Sequence, residues 1–404
     1  MTDHNPATDP DPGAGEVFAA FLKLGLTSFG GPIAHIGYFR REFVEVRKWI
    51  DETEFARLLA LCQFLPGPAS SQLGFTLGLL RAGWAGALAA FVAFTLPSAV
   101  LLFAFAALVP FLSGGIGQAA LHGLKLVAVA VVAQAVLGMA RQLAPDAPRA
   151  TIAAAAVALI LATGQAWTQI LVVALGAAAG LVVCRGVHPP AADTQLRLPY
   201  GMRLGTVLLV VFALVLLALP LASSGRPGLL SVADAFYRAG ALVFGGGHVV
   251  LPLLRESVVT PGWISGDDFL AGYGAAQAVP GPLFTLAAYV GARLDSGAGI
   301  AGAIVALIAI FLPGLLLVAG ALPFWRSIGH TPVAARAVSG INAAVVGLLA
   351  AALYDPVWTS AVRGPLDVAI AAVAFTLLVA WRASALFVVL WCTGAAVAVT
   401  LMEL

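Results

Sequence analysis

Two kinds of interruption recur in this chain, in the same order and at nearly the same spacing, inside sequence that is otherwise apolar. Ser28-Phe29-Gly30-Gly31 is echoed by Val243-Phe244-Gly245-Gly246, and Gln63-x-x-Pro66-Gly67-Pro68 by Gln277-x-x-Pro280-Gly281-Pro282. Phe29 and Phe244 lie 215 positions apart, Pro66 and Pro280 214. Such a chain cannot fold as a row of uniform helices. Two related halves, each broken by glycine and proline at matched places, are the layout of an alternating-access membrane protein with a site near the bilayer midplane.

Residence in a membrane follows from what is missing. Only 10% of residues are charged and 61% are hydrophobic, whereas a soluble domain carries roughly 25% charged residues. The 404 residues suffice for about a dozen spans of ~20 residues with their loops. A net charge of +2 without a basic cluster excludes a nucleic-acid partner. Cys62, Cys184 and Cys392 stand far apart with no CxxC or Cys-His spacing, so they read as packed thiols. No cofactor, metal site or catalytic set is expected.

The organisation expected is an all-α polytopic membrane protein with two homologous, inverted repeats and broken or re-entrant helices at Phe-Gly-Gly and Pro-Gly-Pro. Residues 1–15 are polar and Pro/Gly-rich and read as a disordered tail, with no basic leader of a signal peptide. The first transmembrane repeat spans 16–184, a cytoplasmic linker 185–203, a linking helix 204–222, and the second repeat 223–404. One extra crossing between halves of even span number inverts the second half. The basic residues agree, because the first connector holds Arg40, Arg41, Arg47 and Lys48, while its counterpart holds only Arg255 before Trp263. By the positive-inside rule the first connector and the linker face the cytoplasm.

The breaks carry the chemistry. Residues 55–65 form a stretch of only about 17 Å as a helix, too short for a core of roughly 30 Å. They must be one arm of something that turns back or continues past the Pro-Gly-Pro corner. Pro68 and Pro282 suit the first position of a new helix, where a missing N–H costs nothing. Irregular backbone at this depth is tolerated only inside protein or beside water, and helix N-termini aimed into such a space suit an anion. The candidate substrate-binding residues are therefore Ser28, Gly30, Gly31, Gln63, Gly67 and Ser70 in one half, and Gly245, Gly246, Gln277 and Gly281 in the other.

Lys23 and Arg238 complete the set, being 215 positions apart, shortly before the glycine break of each half. A cation at the bilayer centre costs about 2.5–3.5 kcal/mol on insertion scales, so a symmetric pair suits a divalent anion. Snorkelling, or an i,i+4 pair of Arg238 with Asp234, is the plainer alternative. Arg40 and Arg255 read as surface anchors, Glu54 and Asp268 as helix-start acids, Lys125 as a weaker candidate, and His35, His122 and His248 as packing histidines.

These residues carry a resemblance. Phe-Leu-Lys-Leu-Gly-x-x-Ser-Phe-Gly-Gly-Pro (21–32), Arg-Arg-Glu-Phe-Val (40–44) and Gln-x-x-Pro-Gly-Pro (63–68), with echoes at 236–247 and 277–282, resemble the chromate ion transporter family in its long, two-domain form. The resemblance implies a multi-pass protein of the bacterial inner membrane that exports chromate and confers resistance, with chromate and the lipid bilayer as partners. The second half departs from the pattern where Gly247 replaces Pro32. Sulfate is the nearest rival cargo, and a homo-oligomer is left open. An intramembrane Ser/His hydrolase has raw material in Ser70, Ser71 and the histidines but lacks a Gly-x-Ser-x-Gly turn or an HExxH helix. A passive channel is the third reading, against which saturable, potential-coupled kinetics would argue.

Overall fold

The computed structural model describes residues 13–165, 167–186, 198–223, 228–294, 297–325 and 331–403. Of the expected tail, residues 1–12 lie outside these, as do 187–197 of the expected linker. Each half opens with short helices that enter and turn back. In the first, α1 (Ala14–Thr27) meets the glycine break and α2 (Gly31–Phe39) leaves it, running on through a π-helical turn, Arg40–Val46. α3 (Glu52–Phe64) starts where the Asp51 carboxylate accepts from the Glu54 N–H, and stops at Leu65, which is extended ahead of Pro66.

α4 (Ala69–Leu108) is two helices in one. Ala82 and Gly83 leave helical geometry, with Gly83 at φ +60°, and the chain doubles back there. Gly78 and Gly86 face each other across the fold so closely that a Cβ on either would collide with the other's carbonyl oxygen. The stretch up to Arg81 therefore returns to the side from which α3 entered, and the limb from Trp84 onward makes the crossing. The second half repeats this with α9 (Leu229–Ala241), α10 (Val250–Leu254), α11 (Gly266–Ala276), α12 (Leu286–Arg293) and α13 (Gly299–Ala321). Gly291 and Gly302 reproduce the glycine contact of Gly78 and Gly86. Pro68 and Pro282 precede the first helical residue by one position, a place earlier than expected, and again no intrahelical N–H is lost.

The remaining helices are α5 (Gly115–Leu143), α6 (Ala147–Thr163), α7 (Trp167–Val183) and the linking α8 (Met202–Ala222), then α14 (Pro332–Ala352), α15 (Pro365–Val379) and α16 (Ala385–Glu403). Among the described residues six helical stretches are long and apolar enough to cross a membrane. The closing helices are exchanged between halves: α14 packs on α6 and α7, and α5 packs on α15 and α16. Gly340 and Gly123, the matched glycines of α14 and α5, make the close approaches. A Cβ on Gly123 would stand 2.6 Å from the Thr393 Cα, and one on Gly340 2.6 Å from the Gly180 Cα. Without a hydrophobic drive between helices in lipid, such small-residue contacts are the means of association.

The halves are inverted. Glu16, at the start of α1, accepts from Trp49 of the first connector and from Arg81, 3.2 Å each, so all three share one face. From Trp84 the long limb of α4 rises about 37 Å over its 25 residues. At its far end Val109 and Gly115 line a cavity together with Asp267 and Asp268, which end the second connector. The two connectors therefore lie on opposite faces.

Candidate functional site

The four tips made by these turning helices meet in the middle of the molecule. The Gly67 N–H donates to the Val243 carbonyl (2.7 Å), and the Gly281 N–H donates to the Ser28 carbonyl (2.9 Å). Val243 and Ser28 are equivalent positions, as are Gly67 and Gly281, so each Pro-Gly-Pro corner is hydrogen-bonded to the glycine break of the opposite half. A pseudo-twofold axis runs between the two bonds. It passes near Pro32 and Gly247, themselves equivalents, since a Cβ on Gly247 would lie 3.2 Å from the Pro32 ring. The left-handed glycines are needed to make these turns: Gly30 (φ +102°), Gly67 (+125°), Gly245 (+73°) and Gly281 (+104°).

Each corner is also seated on a proline-bearing helix of the other half. Gly67 lies against Gly314, next to Pro313 of α13, and Gly281 against Ser98, next to Pro97 of α4. The N-termini of α2 and α4, and the 3-10 turns leading into α10 and α12, all begin at the tips. Helix N-termini collected this way carry free N–H groups and partial positive charge.

Symmetry of backbone is not matched by symmetry of side chains. Around the first glycine break sit Ser28, His35, Ser70, Thr95 and Ser98, and at the Gly67 corner, against the second break, sits Gln72, all buried. Their equivalents are Val243, Val250, Phe284, Phe311, Gly314 and Leu286. The first half therefore supplies polar side chains at positions where the second half supplies apolar ones or glycine. The Ser28, Ser71 and Thr95 hydroxyls and the Asn342 side-chain oxygen are buried without a hydrogen-bond partner among the described residues. Asn342 lies beside Gly245 with Met139 of α5. Buried polar atoms left unpartnered are uncommon in native folds.

His35 is more than the packing histidine expected. Its Nε2 lies 3.2 Å from the Ser28 carbonyl and its Nδ1 3.4 Å from the Ser70 hydroxyl. A carbonyl only accepts, so Nε2 carries the proton and Nδ1 accepts from Ser70, an assignment taken from the network. Gln72, which the sequence reading missed, donates its Nε2 to the Pro66 (2.9 Å) and Gly314 (3.0 Å) carbonyls. The clue was available, since Gln72 sits four residues after Pro68, one turn into the new helix. Gln63 is exposed, and among the described residues Gln277 donates only to the Tyr273 carbonyl one turn back.

The cations before the glycine breaks are paired. Lys23 Nζ is 3.1 Å from Glu42, whose other oxygen takes Arg47 at 2.8 Å. The partner of Lys23 comes from nineteen residues away, out of reach of any i,i+4 reading. Arg238 pairs with Asp234 at 2.6 Å, four residues back. Arg40 lies exposed between Glu45 and Glu52, and a hydrogen bond to Glu52 holds its proton more tightly than usual. Arg293 pairs with Asp268 and Lys125 with Asp267, 2.9 Å each.

Two homologous halves of broken helices, interlocked about a common axis, define a two-domain helical membrane protein. The chain belongs to the chromate transporter family, whose model matches residues 15–181 and again 230–399. It is 34% identical over 341 residues to a probable chromate transport protein of Synechococcus elongatus, covering 82% of each chain. It is 30% identical over 382 residues to a chromate transport protein of Pseudomonas aeruginosa (91% of this chain, 87% of that one). A chromate transport protein of Cupriavidus metallidurans is also 30% identical, over 82% of this chain and 80% of its own. No solved structure matches the chain.

Proposed function

We propose that this protein exports chromate across the bacterial inner membrane by alternating access and so confers resistance to it. The observation that carries the reading is the reciprocal pair of hydrogen bonds from Gly67 and Gly281 to the opposite break. It supports a single central site framed by the backbone of both halves, between elements that can rock about their shared axis. Chromate is held at the tips, beside Ser28 and Ser70. The glycines Gly30, Gly31, Gly245 and Gly246 bring N–H groups close, and Gln63 and Gln277 flank the site. Lys23, on the arm that enters from the first connector's face, draws the dianion in, and Arg238, on the equivalent arm of the inverted half, meets it on the way out.

Export is the downhill direction. Each negative charge leaving an inside-negative cell gains about 2.3 kcal/mol per 100 mV, and a dianion roughly twice that. The test is chromate uptake into everted vesicles with and without a membrane potential. Uptake that exceeds empty-vector vesicles and rises with potential supports the proposal; no excess would sink it. Competition by sulfate separates the rival cargo, because preferential sulfate transport reassigns the substrate. Growth on chromate of cells carrying Lys23→Ala or Arg238→Ala, at checked membrane abundance, tests the two cations.

A further inference from the structure

On the face opposite the first connector lies a cavity of ≈ 470 Å³, walled by the starts of α5 and α11 and the ends of α12 and α16. Of the charged groups lining its wall, Lys125, Arg293 and Arg363 are cations and Asp267 and Asp268 are carboxylates. His122, also on the wall, is engaged at 2.8 Å by Asp367. Lys125 is the deep member: ten residues along α5 from Gly115, it lies about 15 Å beyond the helix start. Its side chain is only 4% exposed, while that of its partner Asp267 is 64% exposed.

That inequality decides how the pair behaves. An exposed carboxylate loses little by swinging into water, where such pairs contribute at most about 1 kcal/mol. A buried ammonium left without a counter-charge is strongly destabilised, by roughly 3–5 kcal/mol. Asp267 can therefore leave only when another anion takes its place. With Asp267 aside, the described wall residues set Lys125, Arg293 and Arg363 against Asp268, with Asp367 engaged on His122 beside them, a net positive wall that suits an oxyanion. Its oxygens would meet the Lys125 ammonium where the Asp267 carboxylate now sits.

The geometry points to Lys125 as an anion-binding residue of the exit vestibule, with Asp267 as a built-in competitor that displaces the departing oxyanion. The inference rests on the transport reading above and adds to it a second, peripheral site and a means of release. Deep at the tips the anion is held by backbone and hydroxyls; at the vestibule it is exchanged for a carboxylate of the protein itself.

The test uses purified full-length protein and sodium chromate, with equilibrium binding and vesicle transport measured on the same variants. Asp267→Asn removes the competitor's charge and is expected to tighten chromate binding by about ten- to a hundredfold, the equivalent of one charge-assisted hydrogen bond. The same variant should turn over more slowly, because release now lacks a replacement anion. Lys125→Met leaves behind only the exposed Asp267, so the fold is not left with a buried charge. It is expected to weaken binding at least tenfold and to abolish the effect of Asp267→Asn in the double variant. Lys125→Arg should retain binding, and Asp146→Asn, on a surface loop remote from the cavity, should match wild type. If wild type transports chromate while Asp267→Asn binds it within twofold of wild type, or Lys125→Met binds it normally, the vestibule inference is wrong and the transport reading stands. If wild type neither binds nor moves chromate, both fall.

Discussion

Gly281→Ala is the sharpest probe of how the halves are joined. Gly281 sits at φ +104°, and a Cβ there would come 2.8 Å from the Ser98 hydroxyl and 3.2 Å from the Phe94 carbonyl oxygen. The left-handed backbone alone costs an L-residue about 1–2 kcal/mol. Forcing extra volume against packed backbone adds about 1–3 kcal/mol, and loosening the 2.9 Å bond to Ser28 removes about 1 kcal/mol more. The total is about 3–5 kcal/mol, since these contributions overlap. Gly164→Ala is the matched control: φ is +59° but nothing among the described residues lies within 4 Å, so only the backbone cost of about 1–2 kcal/mol applies. Thermal unfolding of both variants in the same detergent, beside wild type, separates the contributions. Gly281→Ala should melt well below Gly164→Ala and lose chromate uptake at equal membrane abundance. Equal melting of the two variants would refute the idea that the corner is locked into the opposite half.

Two further outcomes follow from single contacts. Gln72→Leu copies the second half, which has Leu286 at the equivalent place, and withdraws the donor shared by the Pro66 and Gly314 carbonyls. It should destabilise by about 1–3 kcal/mol, and an unchanged unfolding temperature would show that the amide is dispensable. Lys23 is 61% exposed and its partner Glu42 10%, so Lys23→Ala should cost less than about 1 kcal/mol. Glu42→Ala, which takes the counter-charge from Lys23 and leaves Arg47 only Glu16 at 3.7 Å, should cost more; the opposite order in thermal unfolding would contradict the network.

Much of the fold was legible because the chain repeats itself. Matching 28–31 with 243–246 and 66–68 with 280–282 located all four tips, and the shortness of 55–65 required a turn inside the membrane. The unequal basic content of the connectors announced the inversion seen in their placement on opposite faces. The partners of those residues were not legible. Nothing local to Lys23 indicates Glu42, and Lys125, ranked low from sequence, gains interest only once α11 brings Asp267 to it. His35 and Gln72 looked ordinary because the partners that tie them to other elements, Ser70 and Gly314, lie 35 and 242 positions away.

By itself the sequence determined that this is a duplicated, helical membrane chain with glycine and proline breaks at matched depth, because hydropathy, residue spacing and backbone restriction are properties of short segments. Only the tertiary structure decided that each corner bonds to the other half's break, that the closing helices are exchanged, and that the first half's buried polar side chains gather around the tips. Those features depend on which carbonyl meets which N–H across more than 170 positions of chain, from Gly67 to Val243. Such meetings are fixed by close packing of small residues, and no local pattern encodes them.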